Sequence, residues 1–166
     1  MAHTTKASGR LLAHIAGLLL VAVVCGVAAQ VIRRDPIPWF ETWSNYIEAK
    51  ALKEGIPLVT SAQVLGFLQA GTHLILDARP ASDFESGHIP SARSVPYGFA
   101  DEALMPVQPY LTPSGPIVTY CSGKSCDESL LLTQYLRRQG FTNVVLFAGG
   151  FETWNAEGHP VERGAR

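Results

Sequence analysis

Cysteine is scarce in this chain: Cys25, Cys121 and Cys126 are the only three in 166 residues. A zinc site draws on about four Cys or His ligands at set spacing, and no second Cys or His pair accompanies Cys121 and Cys126. His73, His88 and His159 are scattered singly, as turn or surface histidines are, so the sequence offers no metal set. Positive charge is also in short supply. Of the thirteen Lys and Arg, four (Lys6, Arg10, Arg33 and Arg34) precede the first acidic residue, Asp35. That leaves nine against fourteen Asp and Glu in the remainder, a net charge of −5. A nucleic-acid surface needs clustered positive charge, so that class of partner is excluded. Internal repeats and low-complexity tracts are missing too.

Between residues 11 and 32, LLAHIAGLLLVAVVCGVAAQVI, formal charge is absent altogether. Twenty-two helical residues would reach roughly 33 Å, enough to cross a hydrocarbon core of about 30 Å. The length of the chain therefore reads as one ordinary domain plus an appendage. A basic tail over 1–10 carries Lys6 and Arg10, and Val27-Ala28-Ala29 offers a site that a signal peptidase would accept. Against cleavage, the apolar run is long for a signal sequence. Arg33 and Arg34 cap its far end, and Trp39, Phe40, Trp43 and Tyr46 follow as an interfacial belt. The expectation is a retained single-pass anchor in membrane lipid, with Cys25 a small apolar residue inside it. Basic residues flank both ends, so the charge rule barely decides orientation. The preferred arrangement puts the short tail inside and the domain on the extracytoplasmic side.

Residues 33–56 read as a juxtamembrane segment with a helix over WSNYIEAKALKEG, ended by Gly55. From there strands and helices alternate. Short strands are expected at Ile56–Thr60 and Ala92–Val95, and stronger ones at 73–78, 116–120 and 143–147. Helices are expected from a Ser61 cap to Ala70, at 81–86, within 99–111, at 127–139 and at 150–156. Such alternation predicts an α/β domain over 57–162 with a mainly parallel sheet flanked by helices, followed by a short tail at 163–166.

The stretch YCSGKSC, residues 120–126, leaves a buried strand and enters a helix. Reactive groups in such sheets gather beyond the carboxyl ends of the strands. Loop amides and a helix N-terminus there would stabilise a sulfur anion on Cys121, with Lys124 adding charge and Gly123 letting the loop curl. Other readings fare unequally. A phosphate loop needs glycine five residues before Gly123, where Val118 stands. A cysteine phosphatase needs arginine six residues after Cys121, where Asp127 would repel phosphate. A Cys121–Cys126 disulfide, or two inert thiols, stays open.

LDARPASDFESGHIPSA, residues 76–92, resembles the signature of rhodanese domains through Asp77, Arg79, Asp83, Phe84, Gly87, His88, Ile89 and Ala92. YCSGKSC resembles their active-site loop, and Gly149, Gly150 and Trp154, with Gly158 and Pro160, resemble their closing motif. The resemblance implies a sulfurtransferase without cofactor, in which Cys121 carries a persulfide and Ser122, Gly123, Lys124, Ser125 and Cys126 line the substrate loop. Asp77, Arg79 and His88 would give structural support. The partners implied are a small sulfur donor and a thiol or cyanide-like acceptor. Two departures stand out: Lys124 is the only basic residue of the loop, and the loop ends in Cys126. The first disfavours anionic donors, and the second brings in a thiol able to resolve the persulfide. Two further expectations remain beside sulfur transfer. One is a non-catalytic module docking a membrane protein partner, the other a redox sensor using Cys121 and Cys126.

Overall fold

The computed structural model describes residues 4–32 and 46–165, with side chains from His14 onward. The chain divides into two units, Met1–Glu41 and Thr42–Arg166. The first contains helix α1, Thr4–Ile32, of which His14–Ile32 is long and apolar enough to cross a membrane and includes no buried residue. The helix begins within the basic tail, so Lys6 and Arg10 are part of it. The charges Arg33 and Arg34, and Trp39, Phe40 and Trp43 of the expected belt, lie outside the described residues. Tyr46 is exposed.

The second unit is α/β, as the alternation of elements predicts. Helix α2, Tyr46–Lys53, belongs to it. Its Ile47 and Ala51 are buried with Ile56, Leu130, Leu146 and Ala148. Helix α3, Ser61–Ala70, is capped one residue earlier than expected, by Thr60 rather than Ser61. Thr60 Oγ1 accepts from Gln63 N at 3.3 Å while Gln63 Oε1 accepts from Thr60 N at 2.9 Å, a reciprocal box that Ser61 cannot form. Strand β1, Leu74–Asp77, leads to α4, Ala81–Ser86, and to the two-residue strand β2, Arg93–Ser94. The stretch expected as a helix within 99–111 is broken into a 3-10 turn at Tyr97–Phe99, the short α5, Ala100–Leu104, and a second 3-10 turn, Met105–Tyr110. Pro106 and Pro109 explain this, because neither can donate the bond a continuing α-helix requires. Strand β3, Ile117–Tyr120, enters α6, Glu128–Arg138. Strand β4, Val144–Phe147, enters α7, Gly150–Ala156.

The four strands are parallel in the order β2-β1-β3-β4. The strand expected at Ile56–Thr60 contracts to one parallel bridge, Leu58 to Leu146. It holds two hydrogen bonds, Val59 N to Leu146 O at 3.0 Å and Leu146 N to Pro57 O at 2.9 Å. Pro57 lacks the N–H to lengthen the ladder on that side. Side chains of the strands sort with period two. Leu76, Ile117 and Val144 pack with Leu132 and Leu136 of α6 on one face. Ile75, Val118, Tyr120 and Phe147 pack with Val64, Phe84 and Trp154 on the other. Thr119, on the α6 face, is paired at 2.5 Å with Thr133, whose hydroxyl also donates to Ser129 O at 2.8 Å. This buried polar chain fixes α6 against β3 just below the loop that joins them.

After β1 the chain crosses to one side of the sheet, and β3 lies on the other. The carboxyl ends of β1 and β3 therefore flank the reversal point at which α/β sheets open a crevice. Helix α7 closes onto it at Gly150. That residue has φ +61°, and a Cβ there would stand 2.5 Å from Cys121 O and 2.8 Å from Gly123 N. Gly158 also has positive φ, +74°, but with nothing within 4 Å of its would-be Cβ. Gly158→Ala is expected to lose only the backbone preference, about 1–2 kcal/mol. Gly150→Ala adds a steric overlap with backbone and should lose clearly more, at least about 2 kcal/mol. Urea unfolding of the two variants beside the parent checks the order.

Candidate active site

Cys121 is the first residue beyond β3 and is 1% exposed. The loop from Cys121 to Asp127 is held from two directions. Helix α7 points its first amides at it: Phe151 N donates to Cys121 O at 2.8 Å and Glu152 N to Ser122 O at 2.7 Å. Within the loop, Cys126 N donates to Gly123 O at 3.0 Å. Gly123 is buried, and a Cβ there would collide with the Glu152 carboxylate. Ser122 is half-buried, while Lys124 and Ser125 are the more open positions of the loop. The six predicted loop residues thus form one turn at the carboxyl end of β3, with Cys121 and Gly123 buried and Lys124 and Ser125 open to solvent.

Cys121 and Cys126 are joined as a disulfide, with Cα atoms 6.2 Å apart. The disulfide that the sequence left open is therefore the form seen. Among the described residues no backbone N–H donates to Cys121 Sγ, so the expected amide cradle is not formed around the oxidised sulfur. Its polar neighbour is Glu128, the first residue of α6. Glu128 Oε2 lies 3.0 Å from Cys121 Sγ and 2.7 Å from Cys126 Sγ. Disulfide sulfurs carry no proton, so any hydrogen in these contacts belongs to the carboxyl. Burial first, then the charges of Asp127, Asp83 and Asp77, push the Glu128 carboxyl above its ordinary range. When the bond is reduced, either thiol can donate to Glu128. Sequence reasoning passed over this residue because an acidic side chain in a first helical turn is already explained by the helix dipole. The adjacent CDE triplet was the available signal.

The electrostatics around the sulfurs are acidic. Glu128 touches both, the Glu152 side chain closes over Gly123, and Asp127 adjoins the loop. Lys124, the loop's one cation, reaches toward Glu48 of α2 at 3.8 Å instead. Cys121, Cys126 and Glu128 also place one donor atom each within 4.8 Å of one another. In the disulfide form neither sulfur is the thiolate that binds a metal ion, which leaves a single carboxylate. A cleft of about 480 Å³ lined by Asp101, Leu104, Gln108 and Tyr135 contains no residue of the loop.

The three support residues divide. Asp77 and Arg79 form a buried pair at the end of β1. Arg79 Nη2 meets Asp77 Oδ2 at 2.6 Å, Nε lies 3.0 Å from both carboxylate oxygens, and Nη2 also donates to Gly87 O at 2.7 Å. The guanidinium lies 4.3 Å from the Phe151 ring centre and 5.7 Å from that of Tyr120. Burial lowers its pKa, but the hydrogen bond and charge of Asp77 outweigh this and raise it. His88 serves a different place. Its Nδ1 bonds Phe84 O at 2.8 Å, its ring stacks on Phe84, and its backbone pairs with Glu162. Nε2 faces Glu162 at 3.9 Å, too far for a hydrogen bond. His88 ties the 84–89 turn to the C-terminal segment and makes no contact with the sulfurs.

Comparison with known proteins agrees with this geometry. The family model described as the rhodanese-like domain matches residues 60–157. The chain is 31% identical over 107 residues to the HTH-type transcriptional regulator Rv0324 of Mycobacterium tuberculosis, which covers 64% of this chain and 45% of that one. It is 30% identical over 91 residues to adenylyltransferase and sulfurtransferase MOCS3-1 of Zea mays, over 53% of this chain and 19% of that protein. It thus spans less than half the length of these curated relatives. The crystal structure of the BH2092 protein from Bacillus halodurans shares the fold with a TM-score of 0.59 at 26% identity, over 72% of this chain and 85% of that one. A parallel sheet with its cysteine at the reversal point, and a family match over more than half the sequence, lead to one conclusion: the chain belongs to the rhodanese-like domain family.

Proposed function

We propose that this chain is a membrane-anchored sulfurtransferase in which Cys121 carries sulfane sulfur as a persulfide. The observation that carries the reading is the place of Cys121 Sγ, at the sheet's reversal point and within bonding reach of a second sulfur. In the first half-reaction the Cys121 thiolate attacks the outer sulfur of a donor. The S–S bond to the donor breaks, and the donor leaves with the electron pair. In the second, a thiolate or cyanide attacks the terminal sulfur of Cys121–S–S⁻, and the Cys121 thiolate departs. Once a dithiol has reduced the Cys121–Cys126 bond to free the thiolate, neither half needs an external oxidant or reductant. A sulfurtransferase is among the relatives, which supports the same reaction class.

The surroundings favour a class of donor. Two carboxylates at the loop and a lysine engaged with Glu48 make a poor seat for a dianion such as thiosulfate. Neutral or protein-borne persulfides suit it better. The apolar α1 supports attachment through residues 11–32, with the domain on the extracytoplasmic side, where a disulfide persists.

Cys121→Ser is expected to abolish transfer from every donor, because an alcohol forms no persulfide. Cyanolysis with thiosulfate and with a persulfide donor, and a search by mass spectrometry for one added sulfur atom on Cys121, check this. Full transfer in the serine variant would sink the mechanism. For attachment, the full chain should stay with membranes through high-salt and carbonate washing. A soluble chain beginning at Gln30 would show instead that the apolar segment is removed.

A further inference from the structure

The Cys121–Cys126 bond leaves a question that sulfur transfer alone does not answer. A transferase that only passes sulfur onward returns to a thiol, and has no use for a second cysteine sharing a carboxylate with the first. We infer that this site is also a sulfane-sulfur reductase: Glu128 takes the proton of Cys126, and Cys126 expels the sulfur carried on Cys121 as hydrosulfide. The inference rests on the persulfide reading given above.

The step balances. The protonated persulfide on Cys121 and the thiol of Cys126 yield the Cys121–Cys126 disulfide and hydrogen sulfide. The Cys126 sulfur forms a bond to Cys121 Sγ as the bond from Cys121 Sγ to the outer sulfur breaks. The outer sulfur gains the two electrons that the two cysteines lose. The proton taken by Glu128 balances the one gained by the departing hydrosulfide, so the carboxyl is unchanged over the step. A dithiol reductant then reopens the disulfide and is itself oxidised.

Three observations point to this step. The bond the step would make is the bond present, between Sγ atoms on a loop whose ends are fixed by β3 and α6. Glu128 Oε2 is 2.7 Å from Cys126 Sγ, the sulfur that must lose a proton, and closer to it than to Cys121 Sγ at 3.0 Å. Attack also produces an anion on a loop whose remaining carboxylates, Asp127 beside Glu128 in the chain and Glu152 over Gly123, favour its departure over its retention. The raised affinity of Glu128 for protons suits a base that works on a thiol. The charged groups acting on it are Asp127 before it in the chain, Asp83 of α4 and Asp77 of β1. Lys124 is turned to Glu48.

The test uses the full chain in detergent, reduced and freed of reductant, given one equivalent of glutathione persulfide. Sulfide, disulfide and added sulfur on Cys121 are each measured. The parent chain should release one sulfide for each disulfide formed. In Cys126→Ser, and in Cys126→Ala as a second variant, the sulfur should stay on Cys121 and no sulfide should appear. Glu128→Gln should slow sulfide release on the order of 10²-fold. It should also erase the fall in rate that the parent shows as pH drops and Glu128 becomes protonated. Sulfide release at the parent rate from the Cys126 variants, an unchanged pH profile in Glu128→Gln, or added sulfur found on Cys126 would each overturn the inference. Sulfur held on Cys121 of the parent chain without sulfide release overturns the inference alone. A parent chain that takes up no sulfur at Cys121 overturns the sulfurtransferase reading with it.

Discussion

The buried pair of Asp77 and Arg79 braces everything around the sulfur. Both side chains are withdrawn from water, and removal of one partner from such a pair costs about 3–5 kcal/mol, because it strands the other charge. The pair reaches further than β1. Through Gly87 O it holds the end of α4, and through the guanidinium face it contacts Phe151 at the start of α7 and Tyr120 at the end of β3. Four elements that meet at the reversal point of the sheet are thus tied by one guanidinium. Tyr120 reports the same environment. Burial, and then the negative charge of Asp77, keep its phenol protonated far above the usual range, while its oxygen accepts from Ile89 N at 3.2 Å. Arginine here positions backbone, and leaves the chemistry to the loop beyond.

That loop has its own arrangement of charge. The amides at the start of α7 are occupied by the carbonyls of Cys121 and Ser122, so they anchor the loop and do not face its sulfur. The carboxyl of Glu128 takes the place where an anion-binding site would put a donor. On the proposed mechanism, a loop built this way would disfavour anionic donors and keep a proton acceptor beside the sulfurs. Both features trace to two residues two positions apart, Cys126 near the end of the loop and Glu128 at the start of α6.

Much of the fold was legible in the sequence where the physics is local. The apolar runs at 73–78, 116–120 and 143–147 marked the three longer parallel strands, because a strand buried on both faces needs no polar alternation. Glycines at 71 and 140 marked helix ends, and both have positive φ. What escaped depended on a partner remote in sequence or on one atom. The segment 56–60 reads as a strand by composition, yet Pro57 and its edge position reduce it to a bridge. The 99–111 stretch looks helical until its two prolines divide it. At the site, Cys121 was legible from its strand-to-loop setting, but the role of Glu128 was not. Only the folded loop shows that a carboxylate in a first helical turn leans back over two sulfurs. The amide cradle expected for Cys121 was a sound inference from a helix N-terminus, but in the disulfide form α7 and the carboxylate define the surroundings instead.

The burial of Cys121 within its disulfide bears on how the chain survives in harsh conditions. A free, acidic, accessible thiol climbs the oxidation ladder to sulfinic and sulfonic acids, from which it does not return unaided. Locked to Cys126 and shielded from solvent, the sulfur is held at a level that a dithiol can reverse. Under the proposed sulfur transfer, an oxidising compartment would therefore hold the site in a recoverable form until reducing equivalents open the bond.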